Sequence, residues 1–528
     1  MKRQQLKIGL KKGLFGHLYF IFWVLLAASI PLSKFATSVC MFSIFGSWLF
    51  SSWKGRKQLF ITHKWHILLG TGLFLVFLAG LWNTENTAYA FKDLRVKLPL
   101  LIIPLVLLTG PRFSKNHVFS VFGFLSIGAF LSALIGYLHY LSVANPVAEN
   151  FREMSPFISH IRLSLMLCFS LAFYYYLILN VKSLLKWFLL IPIGFVLFYL
   201  SELQSLTALV ILPTILIMTL LFFPPWRQSQ KLGRIIGVSF LLIVLLLGYK
   251  LKTVYQEEFQ AQEITTSLPT HTVNGTPYQH DLNNKLLENG NFVGLYYCEK
   301  ELAQEWKKMS DLELDSLVNG FPLRPCLVRF LTSKNFTKDS LGISQLSSEE
   351  IIAIENGIAN YKFIEGKGIE TRIHTTFWEL RKWKEGRSDH ESSLTMRFFT
   401  WENTKNIIKQ NVWTGVGLGD VEDVLKLEYS KSIKVNPNKL KRTHNQYLSV
   451  AVALGFVGLM VFVFLFLYPF SSYQGEFKYL YIVVGLILFL SMMWEDTIET
   501  QAGVALFGLL IHVPFAQYLR EKESSTST

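Results

Sequence analysis

Charged residues are scarce in this chain of 528 residues. Only 17% of the sequence is Asp, Glu, Lys or Arg, whereas 51% is hydrophobic. Soluble globular domains carry ~25% charged residues, so the composition argues against a soluble protein. Apolar stretches flanked by Lys or Arg recur along the chain, for example at 98–108, 184–200 and 240–248. The sequence therefore predicts a membrane protein with many spanning helices.

Cysteine is rarer still, with only four residues in the chain. So few cysteines exclude a disulfide scaffold, and the apolar content excludes intrinsic disorder and a collagen-like fibre. Cys298 and Cys326 both lie in a segment predicted to face outward, where an oxidising compartment would let them pair. Two free thiols are an equally good interpretation.

Motifs for metals and nucleic acids are missing as well. The sequence has no Asp-x-Asp, no His-x-x-x-His and no pair of cysteines at ligand spacing. The formal net charge is +14, but no nucleic-acid motif accompanies it. We therefore predict no metal, no cofactor and no nucleic-acid partner.

Twelve stretches are candidates for membrane-spanning helices, since ~20 mostly apolar residues cross the hydrocarbon core. Basic residues fall in every second short loop, which predicts that both termini are cytoplasmic. The first stretch resembles a signal peptide, but a retained helix is preferred because eleven more spans follow. The fourth is short and contains Pro99 and Pro104, so we expect a kink there. The spans are 14–32, 35–52, 66–82, 97–110, 117–143, 161–180, 184–200, 204–223, 235–250, 447–470, 479–494 and 501–518.

One long polar insertion, residues 251–446, separates the ninth span from the tenth and carries 25 basic and 26 acidic residues. The predicted fold class is an all-α polytopic membrane protein with about twelve transmembrane helices and one large periplasmic loop domain. Spans one to nine occupy 1–250, the mostly helical periplasmic domain 251–446, spans ten to twelve 447–518, and a cytoplasmic tail 519–528. Within the insertion, residues 347–350 resemble a capping box that opens a helix running to about residue 362. Apolar residues spaced over 395–410 predict a second amphipathic helix.

Ionisable residues near the outer membrane surface are candidates for function, because charge is expensive there. Arg152 and Arg162 lie just before and at the start of the sixth span. Each is either an interfacial arginine or a bidentate clamp for an anion such as phosphate. Glu495, Asp496 and Glu499 form an acidic cluster before the last span. Glu495 and Glu499 share one face if the segment is helical, and helix capping is a better interpretation than cation binding.

A denser group of motifs ends the polar insertion. Its glycine run follows no hydrophobic strand and precedes no Lys-Ser/Thr pair, so a tight turn is more plausible than a phosphate-binding loop. His444, at the membrane surface, could take a proton from a hydroxyl group, although a lone interfacial histidine is commonly an ordinary surface residue. The residues of this group are Arg397 and Trp401, then Gly417, Gly419 and Asp420, and finally Arg442, His444 and Asn445.

These features together resemble the O-antigen ligase and polymerase family, bacterial inner-membrane enzymes that transfer lipid-linked glycans. The resemblance rests on the twelve spans, the late outward loop, and the series Arg-x-x-x-Trp, Gly-x-Gly-x-Gly-Asp, His-Asn-x-Tyr-Leu and Gly-x-x-Gly within 397–458. It implies a fold like that of the GT-C glycosyltransferases. It also implies metal-independent, inverting transfer from undecaprenyl pyrophosphate to an acceptor hydroxyl, such as that of lipid A–core, at the periplasmic face.

The resemblance also implies roles for individual residues. His444 corresponds to the catalytic histidine and Arg397 to a pyrophosphate-binding arginine. The family has a further arginine in a Ser-Arg-Thr/Gly element, where this chain has Leu206 between a serine and a threonine. Arg162 or Arg152 would then supply that charge. The supporting residues are Asn445, Trp401, Gly417, Gly419, Asp420 and Arg442.

Other functions remain open at this point. The motifs do not distinguish a ligase from a polymerase of lipid-linked repeats or from a protein O-oligosaccharyltransferase. A membrane transporter is the alternative of a different class. The sequence disfavours a transporter, because it shows no internal repeat and carries a single asymmetric insertion.

Overall fold

The structure is a computed structural model. It describes residues 14–50, 53–143, 151–181, 183–222, 230–261, 267–318, 320–365, 368–386, 393–431 and 442–526. This part of the chain is nearly all helical, as the sequence predicts. The described residues fall into two compact units, one drawn from 14–143, 151–235 and 393–526, the other from 236–386.

The helices of the described residues, in chain order, are α1 (Leu14–Ser29), α2 (Lys34–Leu49), α3 (Trp53–Thr62), α4 (Lys64–Ala79), α5 (Thr87–Lys97), α6 (Pro99–Thr109), α7 (Lys115–Val143), α8 (His160–Asn180), α9 (Leu190–Glu202), α10 (Leu206–Phe222), α11 (Gln230–Phe259), α12 (Glu299–Met309), α13 (Leu323–Ser333), α14 (Ser340–Ser344), α15 (Ser348–Glu355), α16 (Lys362–Glu365), α17 (Ile369–Lys384), α18 (Ser393–Gln410), α19 (Val421–Ser430), α20 (Gln446–Ser472), α21 (Lys478–Trp494) and α22 (Gln501–Thr526). Two 3₁₀ helices cover Phe151–Met154 and Leu184–Leu189, and four strands are β1 (Leu287–Glu288), β2 (Asn291–Phe292), β3 (Leu317–Val318) and β4 (Phe321–Pro322).

Four helices of the described residues are long and apolar enough to cross a membrane. They lie at Lys115–Ser142, His160–Asn180, Gln446–Ser472 and Gln501–Glu523, and a fifth span is possible where α3 and α4 meet at an angle of 85°. Shorter apolar helices include Gly16–Ser29, Leu206–Phe222 and Lys478–Trp494. The protein is thus a membrane protein with several apolar helices, and the count of twelve spans stays a prediction.

The fourth predicted span is a short helix. α6 begins with Pro99 at its first position, where proline is well tolerated, and it contains Pro104 in its interior. Its 11 residues extend only ~16 Å, about half of the ~30 Å hydrocarbon core. The polar helix α5 precedes it, with Leu98 between the two helices.

The core of the first unit surrounds α22, which is buried along almost its whole length. α6 runs beside α22 in the same direction, because Ile103 packs against Gly508 and Arg520 donates a hydrogen bond to the carbonyl oxygen of Leu108 at 2.6 Å. Tyr481 on α21 donates to the carbonyl oxygen of Ile511 at 3.2 Å. α22 therefore organises the helices that carry the candidate site.

The second unit has its own apolar core, built from α12, α13, α14 and α15 around Leu302, Trp306 and Phe330. Its strands form two antiparallel hairpins, β1–β2 and β3–β4. Asn289 and Gly290 turn the first hairpin with positive φ angles of 50° and 84°. Cys298 and Cys326 are both free and buried in this unit, which answers the question left open by the sequence.

The two helices predicted within the insertion are present. The capping box is confirmed, since Ser347 accepts from the backbone N–H of Glu350 and the Glu350 side chain accepts from that of Ser347. The helix is shorter than predicted, because it ends at Glu355 and Gly357 follows with φ of 87°. The apolar face of α18 is also confirmed, with Phe399 and Ile407 buried and Met396 and Ile408 packed beside them.

α18 belongs to the first unit rather than the second. Its buried residues pack with α19 and with Val452 of α20. The second unit ends at residue 388, so the described residues from 393 onward lie with the first unit, although the sequence groups them with the polar insertion. Where the insertion meets the membrane stays a prediction.

Candidate active site

The acidic cluster lies on a short non-helical linker between α21 and α22. α21 ends at Trp494, Glu495 has extended backbone angles, and α22 begins only at Gln501. The condition for Glu495 and Glu499 to share a helical face is therefore not met. At the start of α22 the side chain of Thr500 accepts from the backbone N–H of Gly503 at 3.4 Å, and Glu495 is the C-cap residue of α21.

Asp496 fixes the backbone of His444. Its buried carboxylate accepts from the His444 backbone N–H at 3.0 Å, from Ser449 Oγ at 2.6 Å and from Thr443 Oγ1 at 3.3 Å. His444 has φ of 53°, a left-handed conformation uncommon for a residue other than glycine. Such a conformation persists only where the surroundings impose it. The hydrogen bond to Asp496 is the contact that holds this conformation.

Asn445 starts α20 immediately after His444. Its side chain accepts from the backbone N–H of Leu448 at 3.1 Å and donates to the carbonyl oxygen of Met493 at 3.0 Å. The first contact is a helix cap, and the second joins the start of α20 to the end of α21. Asn445 therefore positions His444 between two helices.

Three side chains converge next to this turn, and we call Arg397, His444 and Glu495 the open cluster. Arg397 Nε donates to the carbonyl oxygen of Trp494 at 3.0 Å, and its Nη2 lies 3.6 Å from Glu495 Oε2. His444 Nδ1 lies 3.7 Å from the same oxygen. The His444 side chain is 39% exposed, whereas those of Arg397 and Glu495 are 11% and 15% exposed. The imidazole is the most exposed of the three side chains.

The hydrogen-bonding capacity of the open cluster is not used up. Among the described residues, neither His444 Nδ1 nor Glu495 Oε2 has a hydrogen-bond partner, although both atoms are buried. Burial alone would raise the pKa of the Glu495 carboxyl, but His444, Arg397 and Arg162 outweigh it, and the pKa is lowered. Glu495 is therefore a carboxylate that can stabilise positive charge on the imidazole.

The two arginines proposed for the second positive charge differ in their surroundings. Arg162 opens α8 and is largely buried, and the charges of Glu495, Arg442 and Asp496 act on its guanidinium. Its Nε atom is buried and has no hydrogen-bond partner among the described residues. Arg152 is exposed on the 3₁₀ helix Phe151–Met154. The structure therefore favours Arg162 as the companion of Arg397.

A second charged group, Asp93, Lys97, Arg442, Gln446 and Glu499, is called the closed cluster. Lys97 is completely buried, and its Nζ donates to Asp93 Oδ2 at 2.6 Å and to Glu499 Oε2 at 2.5 Å. Gln446 Nε2 donates to Glu499 Oε1 at 2.8 Å, and Arg442 Nη1 donates to the Glu499 carbonyl oxygen at 2.8 Å. Burial would raise the pKa of Glu499, but Lys97 and Arg442 lower it.

Trp401 lies one helical turn after Arg397 on α18. Its ring centroid is 5.4 Å from that of Trp494 and 5.9 Å from that of Phe398. In the same helix, Thr400 donates to the carbonyl oxygen of Thr443 at 3.2 Å. These contacts join α18 to the His444 turn and to the end of α21, so they support the position of Arg397.

The glycine run lets two backbone segments pack closely. It is a turn and not a phosphate loop, which is the interpretation that the sequence favours. Gly417 has φ of 98°, and a Cβ there would lie 2.8 Å from the carbonyl oxygen of Asn83. At Gly419 a Cβ would lie 2.1 Å from the carbonyl oxygen of Asn86. The Asp420 carboxylate accepts from the backbone N–H groups of Glu85 and Asn86, both at 2.8 Å. The run joins the end of α18 to the loop before α5.

The same run also bonds to a break in α20. At Gly455 the helix is interrupted, with φ of 66° and ψ of −170°. The backbone N–H of Val416 donates to the carbonyl oxygen of Val452 at 2.8 Å, and that of Gly417 to Ala453 at 3.0 Å. Irregular backbone at membrane depth needs such partners.

Sequence reasoning missed several members of these clusters. Lys97 and Asp93 stand four residues apart, and Lys97 lies inside the predicted fourth span, where a charge is itself a signal of function or structure. Ser449 and Gln446 carry no comparable signal, because uncharged polar residues at the start of a helix are common. The described residues contain no group of three His, Cys, Asp or Glu side chains arranged to hold a metal.

Residues 342–463 match the family model described as O-antigen ligase. The match includes Arg397, the glycine run and His444, and it ends before the acidic linker. No curated protein matches the chain. The family resemblance predicted from the motifs is thus confirmed over this segment.

Proposed function

From the O-antigen ligase domain at residues 342–463, we propose that the protein transfers a glycan from undecaprenyl pyrophosphate to an acceptor hydroxyl, such as that of lipid A–core. Family members are glycosyltransferase-like enzymes, and the family implies a lipid-linked glycan, an acceptor and a membrane as partners. The observation that carries the proposal is the convergence of His444 and Arg397 on Glu495, with the imidazole the most exposed of the three side chains.

His444 is the proposed general base. Its Nδ1 faces Glu495, which leaves Nε2 to take the proton of the acceptor hydroxyl. The freed oxygen then attacks the anomeric carbon of the donor sugar, and attack opposite the leaving group inverts that centre. General base catalysis of this kind accelerates a reaction ~10²–10⁴-fold.

Arg397 and Arg162 are proposed to bind the pyrophosphate. When the bond between the anomeric carbon and the phosphate oxygen breaks, its electron pair leaves with the pyrophosphate, whose negative charge increases. A guanidinium group stabilises that charge with two parallel hydrogen bonds, more effectively where water is partly excluded. The positive charges of both arginines lower the pKa of Glu495, which supports a location for both near that carboxylate.

Glu495 is proposed to hold the protonated imidazole. When His444 gains the proton, a carboxylate 3.7 Å from Nδ1 can draw in to form a charge-assisted hydrogen bond. Hydrogen bonds at catalytic groups are frequently long before the substrate binds. Glu495 is therefore a positioning residue, and it also separates the arginines from the imidazole.

The membrane arrangement is part of the proposal. We place the protein in the bacterial inner membrane with about twelve spans, both termini in the cytoplasm and the open cluster at the periplasmic face. Outside the insertion 251–446, the segments predicted to be cytoplasmic carry 19 of the 26 basic residues and only three acidic ones, as expected from the positive-inside tendency.

The decisive experiment compares His444→Ala with a control, His139→Ala, in a transfer assay with the purified full-length protein. His139 is exposed on α7, far along the chain from the domain match. We expect His444→Ala to lower the transfer rate ~10²–10⁴-fold, while both variants elute as folded membrane protein. Transfer at the wild-type rate in His444→Ala would contradict the assignment.

Gel analysis of surface polysaccharide after gene deletion distinguishes the acceptors. Loss of glycan from the lipid acceptor, with polymer accumulating on the carrier, indicates a ligase. Products limited to a single repeat indicate a missing polymerase. Normal glycans with altered uptake would favour a transporter and overturn the proposal.

A further inference from the structure

A cavity of about 460 Å³ lies among α1, α2, α5 and α6, outside the clusters described above. Fifteen residues line it, and only Ser38, Arg95 and Gln501 among them are polar. Trp23 and Phe45 contribute aromatic walls. Such a composition suits a hydrocarbon chain with a polar group at one end.

The polar residues mark the end of the cavity that lies nearest the candidate site. Gln501 begins α22, two residues after Glu499, and its side chain donates to Ser38 Oγ at 2.6 Å. Arg95 lies two residues before Lys97 on α5. α6 and α22 run in the same direction, so the apolar wall extends from this end toward the opposite end of the bundle.

The length of the cavity along α6 follows from the residues of that helix that line it. They run from Pro99 to Val106, which corresponds to ~10 Å along the helix axis, about a third of a ~30 Å hydrocarbon core. A water molecule takes up ~30 Å³ of liquid, and a methylene group is of similar size, so the cavity holds on the order of fifteen chain carbons. This volume suits one hydrocarbon chain of about that length.

The cavity also opens toward the bilayer. Phe42 on α2 and Leu98 before α6 both line it, and their side chains are 77% and 38% exposed. Arg95 is exposed as well, and a cation at the mouth matches an anionic headgroup. A lipid can therefore enter from the side with its headgroup at the end of the bundle that holds the open cluster.

We propose that this cavity binds the first part of the polyisoprenoid chain of a pyrophosphate-linked lipid. The inference rests on the proposed function, because it identifies the occupant as the single-chain donor and not as an acceptor with several acyl chains. The cavity positions the chain so that its pyrophosphate extends from the mouth toward the arginines of the site.

The test fills the cavity and measures binding rather than transfer. Ile102→Trp places an indole in the cavity, and Ile127→Trp makes the same change on α7, where the side chain is 50% exposed and does not line the cavity. Both full-length variants are reconstituted in phosphatidylcholine nanodiscs with undecaprenyl pyrophosphate. We expect Ile102→Trp to weaken binding about tenfold, equivalent to ~1.4 kcal/mol, and Ile127→Trp to leave it unchanged.

A photoreactive isoprenoid pyrophosphate provides a second measurement on the unmodified protein. Labelling of peptides from α2 and α6 supports the proposal, whereas labelling confined to other helices overturns it. Unchanged affinity in Ile102→Trp, or equal losses in both variants, also overturns it. If binding fails these tests but His444→Ala still lowers transfer, the proposed function stands, because the binding assay does not depend on catalysis.

Discussion

The open and closed clusters contain the same kinds of side chain, yet they are built differently. In the closed cluster the Glu499 side chain accepts hydrogen bonds from Lys97 and Gln446 at 2.5 and 2.8 Å. In the open cluster the Glu495 carboxylate is 3.6 Å from Arg397 and 3.7 Å from His444. Four positions along one linker therefore separate a carboxylate with short hydrogen bonds from one whose Oε2 atom makes only longer contacts among the described residues.

This difference indicates that the two carboxylates have different roles. A buried charge left without its partner is strongly destabilising, so Glu499 and Lys97 depend on each other for the fold. Glu495 makes longer contacts, and its neighbours can shift when a substrate binds. We infer that the closed cluster maintains the structure of the linker and that the open cluster carries the chemistry.

The largest expected effect is in the closed cluster. Lys97→Met removes the buried ammonium and leaves Asp93 and Glu499 facing each other, which should cost about 3–5 kcal/mol of unfolding free energy. Lys92→Met on the same helix changes an exposed residue and should cost less than about 0.5 kcal/mol. Thermal unfolding of both purified variants measures the difference. If the two variants were equally stable, the closed cluster would not have the structural role that distinguishes it from the open cluster.

A smaller effect is expected from Arg397→Lys in the open cluster. The substitution keeps the positive charge but loses the planar group that contacts the Trp494 carbonyl oxygen and faces Glu495. We expect transfer to fall about tenfold or more, since removing one preorganised donor entirely costs ~10²–10³-fold. Arg324→Lys, in the second unit, is the control and should transfer at the wild-type rate. If Arg397→Lys matched that control, Arg397 would not be a clamp.

The smallest effect on stability is expected from Glu495→Gln. The pKa of Glu495 is lowered in the fold, so its charge stabilises the protein above the ordinary carboxyl pKa, and this contribution is lost as the pH falls. Replacing it should therefore cost most at neutral pH and little in acid. Thermal unfolding of Glu495→Gln and of the wild type, measured from neutral to acid pH, tests this dependence. A loss of stability that does not shrink as the pH falls would contradict it.

Much of the fold follows from the sequence because bilayers impose simple patterns. Long apolar stretches predict the helices, and the capping box at 347–350 marks the start of α15. The end of that helix is harder to predict, because the sequence pattern typical of a helix continues beyond Gly357. The number of spans is harder to predict from hydropathy, because a short helix such as α6 extends only about half of the hydrocarbon core.

Only part of the site can be predicted from the sequence, because some of its residues come together only in the folded chain. His444 and Arg397 belong to local motifs, so their residue types and spacing identify them. Lys97 meets Glu499 across 402 residues of sequence, and no local pattern records such a pair. The sequence leaves the conformation of the acidic linker open, because the hydrogen bond that the His444 backbone N–H donates to Asp496 joins residues far apart in the chain.

The break in α20 at Gly455 has a mechanical consequence. It divides the helix into a short rod, residues 446–454, and a longer apolar rod that follows. The short rod accepts backbone hydrogen bonds from Val416 and Gly417, and the longer rod begins with Phe456, whose backbone N–H donates to the carbonyl oxygen of Val412 at 2.7 Å. The segment between α18 and α19 therefore holds both sides of the break, so the interruption fixes the angle between the two rods and is not a free joint.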